Sequence, residues 1–221
     1  MAGDNSIVLG DWRLTAVVTS PPWYENCYLV RHEPSGEIAV VDPGGDADVI
    51  NARIADLGGK LAAVLLTHGH FDHLGGVADV QARYDVPCRA HVEEKVIIDR
   101  APQWAQSMMA GGVKPPGRCE YFESDAKLSL GGAPIAVHFT PGHTPGGVCY
   151  DFGPFVLTGD TLFAEGVGRT DFPGGNGPQL VKSITDFLAR LEPDVLLFSG
   201  HGPQWSAEEA RHWWSQMAPY I

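Results

Sequence analysis

The apolar run LAAVLL, Leu61 to Leu66, ends directly on THGHFDH, Thr67 to His73. This junction constrains the fold more than any other stretch. An unbroken apolar run of this length predicts a strand covered on both faces, hence one inside a sheet flanked by helices. The strand then delivers three histidines and an aspartate within six positions. Alternate residues of an extended segment point the same way, so His68 and His70 share one target. Asp72 and His73 follow where the chain turns into a helix, and they face a second target nearby. Imidazole nitrogen and carboxylate oxygen are the donors that borderline divalent metals favour. Four such donors in this spacing point to a metal site rather than to a surface turn.

The flanking patterns supply the sheet. WRLTAVVTS, CYLVRH and EIAVVDP read as strands. A helix opens at Asp46, with Val49, Ile50, Ile54 and Leu57 at helical spacing, and Gly58 stops it. One helix, HLGGVADVQARYD, is expected after the histidine cluster, followed by the strand PCRAHV. This alternation predicts parallel strands with helices packed outside. From Ala126 onward AKLSL, IAVHFT, GVCYDFG and PFVLTGD are short strands. The helix GPQLVKSITDFLARL, the strand DVLLFSG and a last helix complete two similar sheet-plus-helix halves. No linker or low-complexity run divides them, so one domain, 1–221, is expected.

Three more glycine-flanked tips end β-rich runs: HFTPGHTPGG with His143, VLLTGDTLF with Asp160 and LLFSGHGP with His201. Loops at one edge of a rigid sheet are a common place for functional side chains. The segment Asp99 to Gly112 reads as a lid or an oligomer contact. Within it Trp104 and Met108, one turn apart, are expected to pack into the core. Trp23, Tyr24, Asn26 and Tyr28 are expected at the mouth of the site.

Composition bounds the function classes. Twenty-seven acidic against fifteen basic residues give a net charge of −12. Nucleic acid and anionic membrane surfaces are therefore disfavoured as partners, and a small-molecule substrate is expected. Cys27, Cys88, Cys119 and Cys149 form no CxxC pair and read as reduced thiols. The N-terminal MAGDNSIVLGDW has no basic region leading into an apolar core, so no export signal is predicted and a cytoplasmic location is expected. The sequence carries no signal for an oligomeric state.

In order, THGHFDH, PGHTPGG, TGDTLF and SGHGP resemble the motifs of the metallo-β-lactamase superfamily of hydrolases. GVGRTDFPGG, Gly166 to Gly175, narrows the resemblance to the short glyoxalase II-like branch and its persulfide dioxygenase relatives. The resemblance implies an α/β fold, an αββα sandwich of two mixed sheets with helices outside. It implies two divalent ions, zinc first, with iron or manganese as alternatives. One would take His68, His70 and His143, the other Asp72, His73 and His201, with Asp160 bridging. Asp72 and Asp160 carry the catalytic roles in this reading. A metal-bridging hydroxide would attack a small glutathione-like acyl thioester. Arg169, Asn26 and Tyr28 are the substrate-side candidates. Arg169 either holds a substrate carboxylate or pairs with Asp171 to pin its loop. Full-length glyoxalase II enzymes carry a C-terminal helical domain that grips glutathione, and this sequence shows none. One alternative is a persulfide dioxygenase with a single iron on His68, His143 and Asp160. Another is a metal-binding module without catalysis.

Overall fold

The computed structural model describes residues 6–124 and 126–221, so residues 1–5 of the N-terminal reading lie outside it. Strands β1 (Ser6–Leu9), β2 (Trp12–Thr19), β3 (Glu25–His32) and β4 (Glu37–Val41) lead to helix α1 (Ala47–Leu57) and strand β5 (Lys60–Leu65). Helices α2 (Phe71–Leu74) and α3 (Val77–Arg83), strand β6 (Cys88–His91), helix α4 (Lys95–Ser107) and strand β7 (Cys119–Phe122) complete a first half. The second half holds β8 (Leu128–Leu130), β9 (Ala133–Phe139), β10 (Val148–Asp151), β11 (Phe155–Gly159), β12 (Leu162–Phe163) and β13 (Gly166–Val167). It ends with α5 (Gly177–Leu188), β14 (Leu196–Ser199), β15 (Trp205–Ser206) and α6 (Ala207–Met217).

Seven strands form one sheet in the order β1-β2-β3-β4-β5-β6-β7, and six form a second in the order β15-β14-β11-β10-β9-β8. Both are mixed. In the first sheet β1 to β4 pair antiparallel, and β4 to β7 pair parallel as the alternating pattern predicts. In the second, the parallel β11–β14 pair joins antiparallel neighbours.

Side-chain alternation assigns the layers. In β3 and β4, Tyr28, Val30, Ala39 and Val41 face inward against Tyr150, Phe155, Leu157 and Phe198 of the second sheet. Cys27, Leu29, Ile38 and Val40 face outward against Ile50, Ile54, Val77, Val80 and Ile98 of the helices. On the far side Val156 and Leu197 meet Leu180, Ile184, Phe187 and Trp214 of α5 and α6. The result is the expected αββα sandwich. Each central strand is buried on both faces, which is why its sequence is an unbroken apolar run.

Local details depart from the expectation in two places. The helix expected after the histidine cluster is split into α2 and α3 at Gly75–Gly76. There the chain presses against the β4–α1 loop, and Gly76 N–H donates to Pro43 O at 2.7 Å. A Cβ on Gly75 would stand 2.5 Å from Gly44 O, so only glycine fits. Val49 of α1, placed on the helical face by spacing, is 52% exposed. All four cysteines are free, with Cys119 the least buried. Among the described residues no helix is long and apolar enough to cross a membrane.

Candidate metal centre

Every tip singled out in the sequence arrives at one edge of the sandwich. β5 ends at Leu65 and delivers His68 and His70, while the first turn of α2 carries Asp72 and His73. From the second sheet, the β9–β10 loop brings His143, the end of β11 brings Asp160 and the end of β14 brings His201. Two compact groups form, His68–His70–His143 and Asp72–His73–His201, each with its donor atoms within 4.8 Å of one another. Asp160 lies between them: Oδ1 is 3.3 Å from His73 Nε2, and Oδ2 is 3.7 Å from His143 Nε2 and 3.6 Å from His201 Nε2.

For His143, His68 and His73, a hydrogen bond on the outer side of the ring fixes which nitrogen faces inward. His143 Nδ1–H donates to the carbonyl of Arg169 at 2.6 Å, so Nε2 presents a lone pair. Thr67 Oγ1–H donates to Asp42 Oδ2 at 2.5 Å, which leaves Thr67 Oγ1 to accept from His68 Nδ1–H at 3.1 Å. His73 Nδ1–H donates to Asp42 at 3.0 Å. Imidazoles held this way through an outer carboxylate or carbonyl are the usual support of a metal ligand. Asp42, His68 and His73 also lie within 4.8 Å of one another. Asp42 already accepts from Thr67 N–H, Thr67 Oγ1–H and His73 Nδ1–H, so we read it as a support rather than a ligand.

The donors fit a cation. His70 Nδ1 lies 3.1 Å from His68 Nε2 and 3.0 Å from His143 Nε2, and the latter two are lone pairs. A single proton on His70 can satisfy only one of them. A central ion satisfies all three, since tetrahedral donors at about 2.0–2.1 Å stand roughly 3.3 Å apart. His73 Nε2 and Asp160 Oδ1 are likewise buried without a hydrogen-bond partner. The triad His68, His143 and Asp160 alone is looser, with His70 closer to both histidines than Asp160 is to His143.

Charge divides the two groups. Burial, reinforced by His143, pushes His70 down to about 3. Burial also lowers His68 and His143. For His73 burial opposes charge, but Asp160, Asp42 and Asp72 outweigh it and raise the pKa well above the ordinary range. His201 is raised in the same way by Asp72 and Asp160 against burial. Burial works against ionisation of Asp160, yet His73, His143 and His201 hold it well below the carboxylate range. Asp72 is also lowered, by His201 and His73 against burial. The three-histidine group is therefore held neutral, while His73 and His201 are held toward the charged form beside the ionised carboxylates Asp72 and Asp160.

Two supporting carboxylates escaped the sequence reading. Asp42, at the end of the strand run EIAVVDP, has no site role in the sequence reading. Glu94, to which the sequence assigned no role, is buried and accepts Gly69 N–H at 2.6 Å and Gly146 N–H at 2.7 Å. It thereby ties the His68–His70 segment to the His143 loop. Burial pushes Glu94 up to about 7 against the pull of Thr144, Gly146 and Gly69.

A cleft of about 450 Å³ opens over the centre, bordered by Trp23, Phe71, Trp104, Met108, Phe163 and Phe172. Trp104 and Met108 thus line the cleft rather than the core, because α4 lays its last turn beside His70. Arg169 also borders it, paired with Asp171 at 2.9 and 2.7 Å and stacked 4.3 Å over Phe172. Asn26 and Tyr28 do not line it. They are buried beneath the His201 loop, where Asn26 Nδ2 donates to Ser199 O and Gly202 O and Tyr28 Oη to Ser199 O. Their inward direction on β3 makes them a stitch between the two sheets. Of the other two residues expected at the mouth, Trp23 borders the cleft and Tyr24 is 62% exposed.

Residues 20–201 match the metallo-beta-lactamase superfamily. The chain is 39% identical over 188 residues to the probable metallo-hydrolase YqgX of Bacillus subtilis, across 83% of this chain and 87% of the relative. It is 32% identical over 190 residues to the hydroxyacylglutathione hydrolase GloC of Haemophilus influenzae, across 84% of this chain and 89% of the relative. The crystal structure of TTHA1623 in a di-iron-bound form superposes with a TM-score of 0.80 at 31% identity, covering 88% of this chain and 96% of that one. With its fold, its motif order and these similarities in agreement, the chain belongs to the metallo-β-lactamase superfamily.

Proposed function

We propose that the protein is a binuclear metal-dependent hydrolase that cleaves acyl thioesters. The observation that carries this reading is the pair of three-donor clusters with the Asp160 carboxylate between them. His68, His70 and His143 would hold one ion, Asp72, His73 and His201 the other, and Asp160 both. Zinc is the proposed metal; imidazole and carboxylate donors also suit iron and manganese. A divalent ion in such a site acts as a Lewis acid toward a carbonyl oxygen and lowers the pKa of water toward about 7.

The chain's own groups do the rest. Asp72 and Asp160, both held ionised, offset part of the cationic charge and leave the centre attractive to an electron-rich carbonyl. Aromatic walls exclude bulk water and strengthen the electrostatics inside. Water adds to the acyl carbon, the C–S bond breaks, and the products are an acid and a thiol. A thiol leaving group has a pKa near 8.5 and departs as thiolate without a strong general acid. A glutathione thioester is a natural first substrate, given the name of the relative GloC. The single-iron alternative on His68, His143 and Asp160 leaves His70 and the second cluster without a cation to face.

Thiol release is the test. Protein stripped by chelation and reloaded with zinc is offered a glutathione thioester and simple acyl thioesters. Metal-restored thiol release supports the proposal. Loaded protein that releases no thiol from any of them overturns it.

A further inference from the structure

The walls of the cleft carry a second message, about the part of the substrate that does not react. Two aromatic contacts flank the three-histidine cluster: Trp104 and Phe172 stand 5.9 and 5.7 Å from the His70 ring, centroid to centroid. Met108 continues this wall outward by one helical turn. Across the cleft Trp23 packs edge-on against Phe71 at 5.0 Å, and Phe163 lies 5.9 Å from the His201 ring. Apolar side chains also reach the rim. Met108, just past the end of α4, borders the cleft and is 45% exposed. Exposed apolar groups that continue an apolar cleft mark a surface meant to be covered.

Charge in the cleft points the same way. Among the described lining residues Arg169 is the one cationic side chain besides the imidazoles, and its Nε and Nη2 are engaged by Asp171. A glutathione thioester brings two carboxylates and one ammonium to a chain of net charge −12. Charged groups need paired partners to leave water, and apart from the centre itself the cleft wall offers one cationic side chain, Arg169, that is already paired.

Resting on the thioester reading above, we propose that the cleft selects thioesters with a hydrocarbon arm, aliphatic or aryl, seated between Trp104, Met108 and Phe172, over the charged glutathione tripeptide. The arm exchanges water for apolar surface on several sides. Each buried methylene is worth about fourfold in transition-state binding.

The experiment holds the thiol constant and varies the acyl arm: acetyl, butanoyl, hexanoyl and benzoyl thioesters of N-acetylcysteamine, against lactoylglutathione, on zinc-loaded protein. The expected result is a rise in kcat/KM of at least about tenfold from acetyl to hexanoyl, with lactoylglutathione below hexanoyl. In Trp104→Ala the hexanoyl-to-acetyl ratio collapses toward one at unchanged metal content. Met108→Ala gives the same collapse in smaller measure should the tryptophan variant fold poorly. A flat acyl series, or a preference for lactoylglutathione, overturns the proposal. The product acids read the same wall without turnover, through tryptophan fluorescence on loaded protein. Should no thioester be cleaved, hexanoate binding at least about tenfold tighter than acetate still upholds the apolar seat while the thioester reading falls. Equal affinities for the two acids overturn it.

Discussion

His73 Nδ1 stands 3.0 Å from Asp42 Oδ2, and this bond turns the opposite nitrogen, Nε2, toward Asp160 at 3.3 Å. One aspartate at the end of β4, 31 residues from the histidine it holds, thus sets the tautomer of a side chain in the centre. The same carboxylate anchors Thr67, which accepts from His68. Asp42 therefore reaches one imidazole of each cluster.

Asp42→Asn puts an amide donor opposite one of these donors. Loss of such an outer partner costs about 10–100-fold in metal affinity. Chelator competition should show both ions held more weakly, the one at His73 most, since its bond to Asp42 is direct. Unchanged competition curves would remove Asp42 from the account.

Glu94→Gln tests the clamp between Gly69 and Gly146. The variant keeps one acceptor and turns an amide donor toward the other N–H, at a cost of about 1–3 kcal/mol. The pH dependence has a definite sign. Glu94 is raised from 4.5 to about 7 in the folded chain. Between those values the folded protein holds a proton that the unfolded chain has released. The resulting stabilisation is complete below the window and is lost as pH rises through about 7. Unfolding of metal-free protein should therefore show a larger gap between wild type and variant at about pH 5 than at about pH 8. A gap that widens with pH would contradict the assignment.

Gly200→Ala asks whether the space at Asp160 is needed. A Cβ there would stand 2.4 Å from Asp160 Oδ1 and 2.5 Å from His73 Cε1. Both side chains must shift, so metal content and thiol release should fall together while circular dichroism retains the native pattern. An alanine variant with full metal and full rate would show that Asp160 and His73 do not act where the structure has them.

Much of the fold was legible because central strands must be apolar on both faces. LAAVLL and the β3 and β4 runs announce this directly. The donors in THGHFDH were legible because they are neighbours in sequence. His143, Asp160 and His201 showed only as polar tips beside glycines. Asp42 and Glu94 were not legible, because their roles come from partners 25 and 52 residues away. Burial between distant loops is what makes Glu94 a clamp. Trp104 and Met108 misled in the opposite sense. Apolar spacing on a helix specifies a covered face, and here the expected cover is a substrate. Asn26 and Tyr28 were expected at the mouth, but strand direction turns them inward.

The central claim is that seven side chains hold two ions through a shared Asp160. Elemental analysis of freshly purified protein, beside Asp160→Asn, tests it most directly. The account predicts about two divalent ions per chain, and a variant depleted in metal and in thiol release together. About one iron per chain with oxygen uptake on a persulfide, or a variant that keeps both ions at full rate, would contradict it.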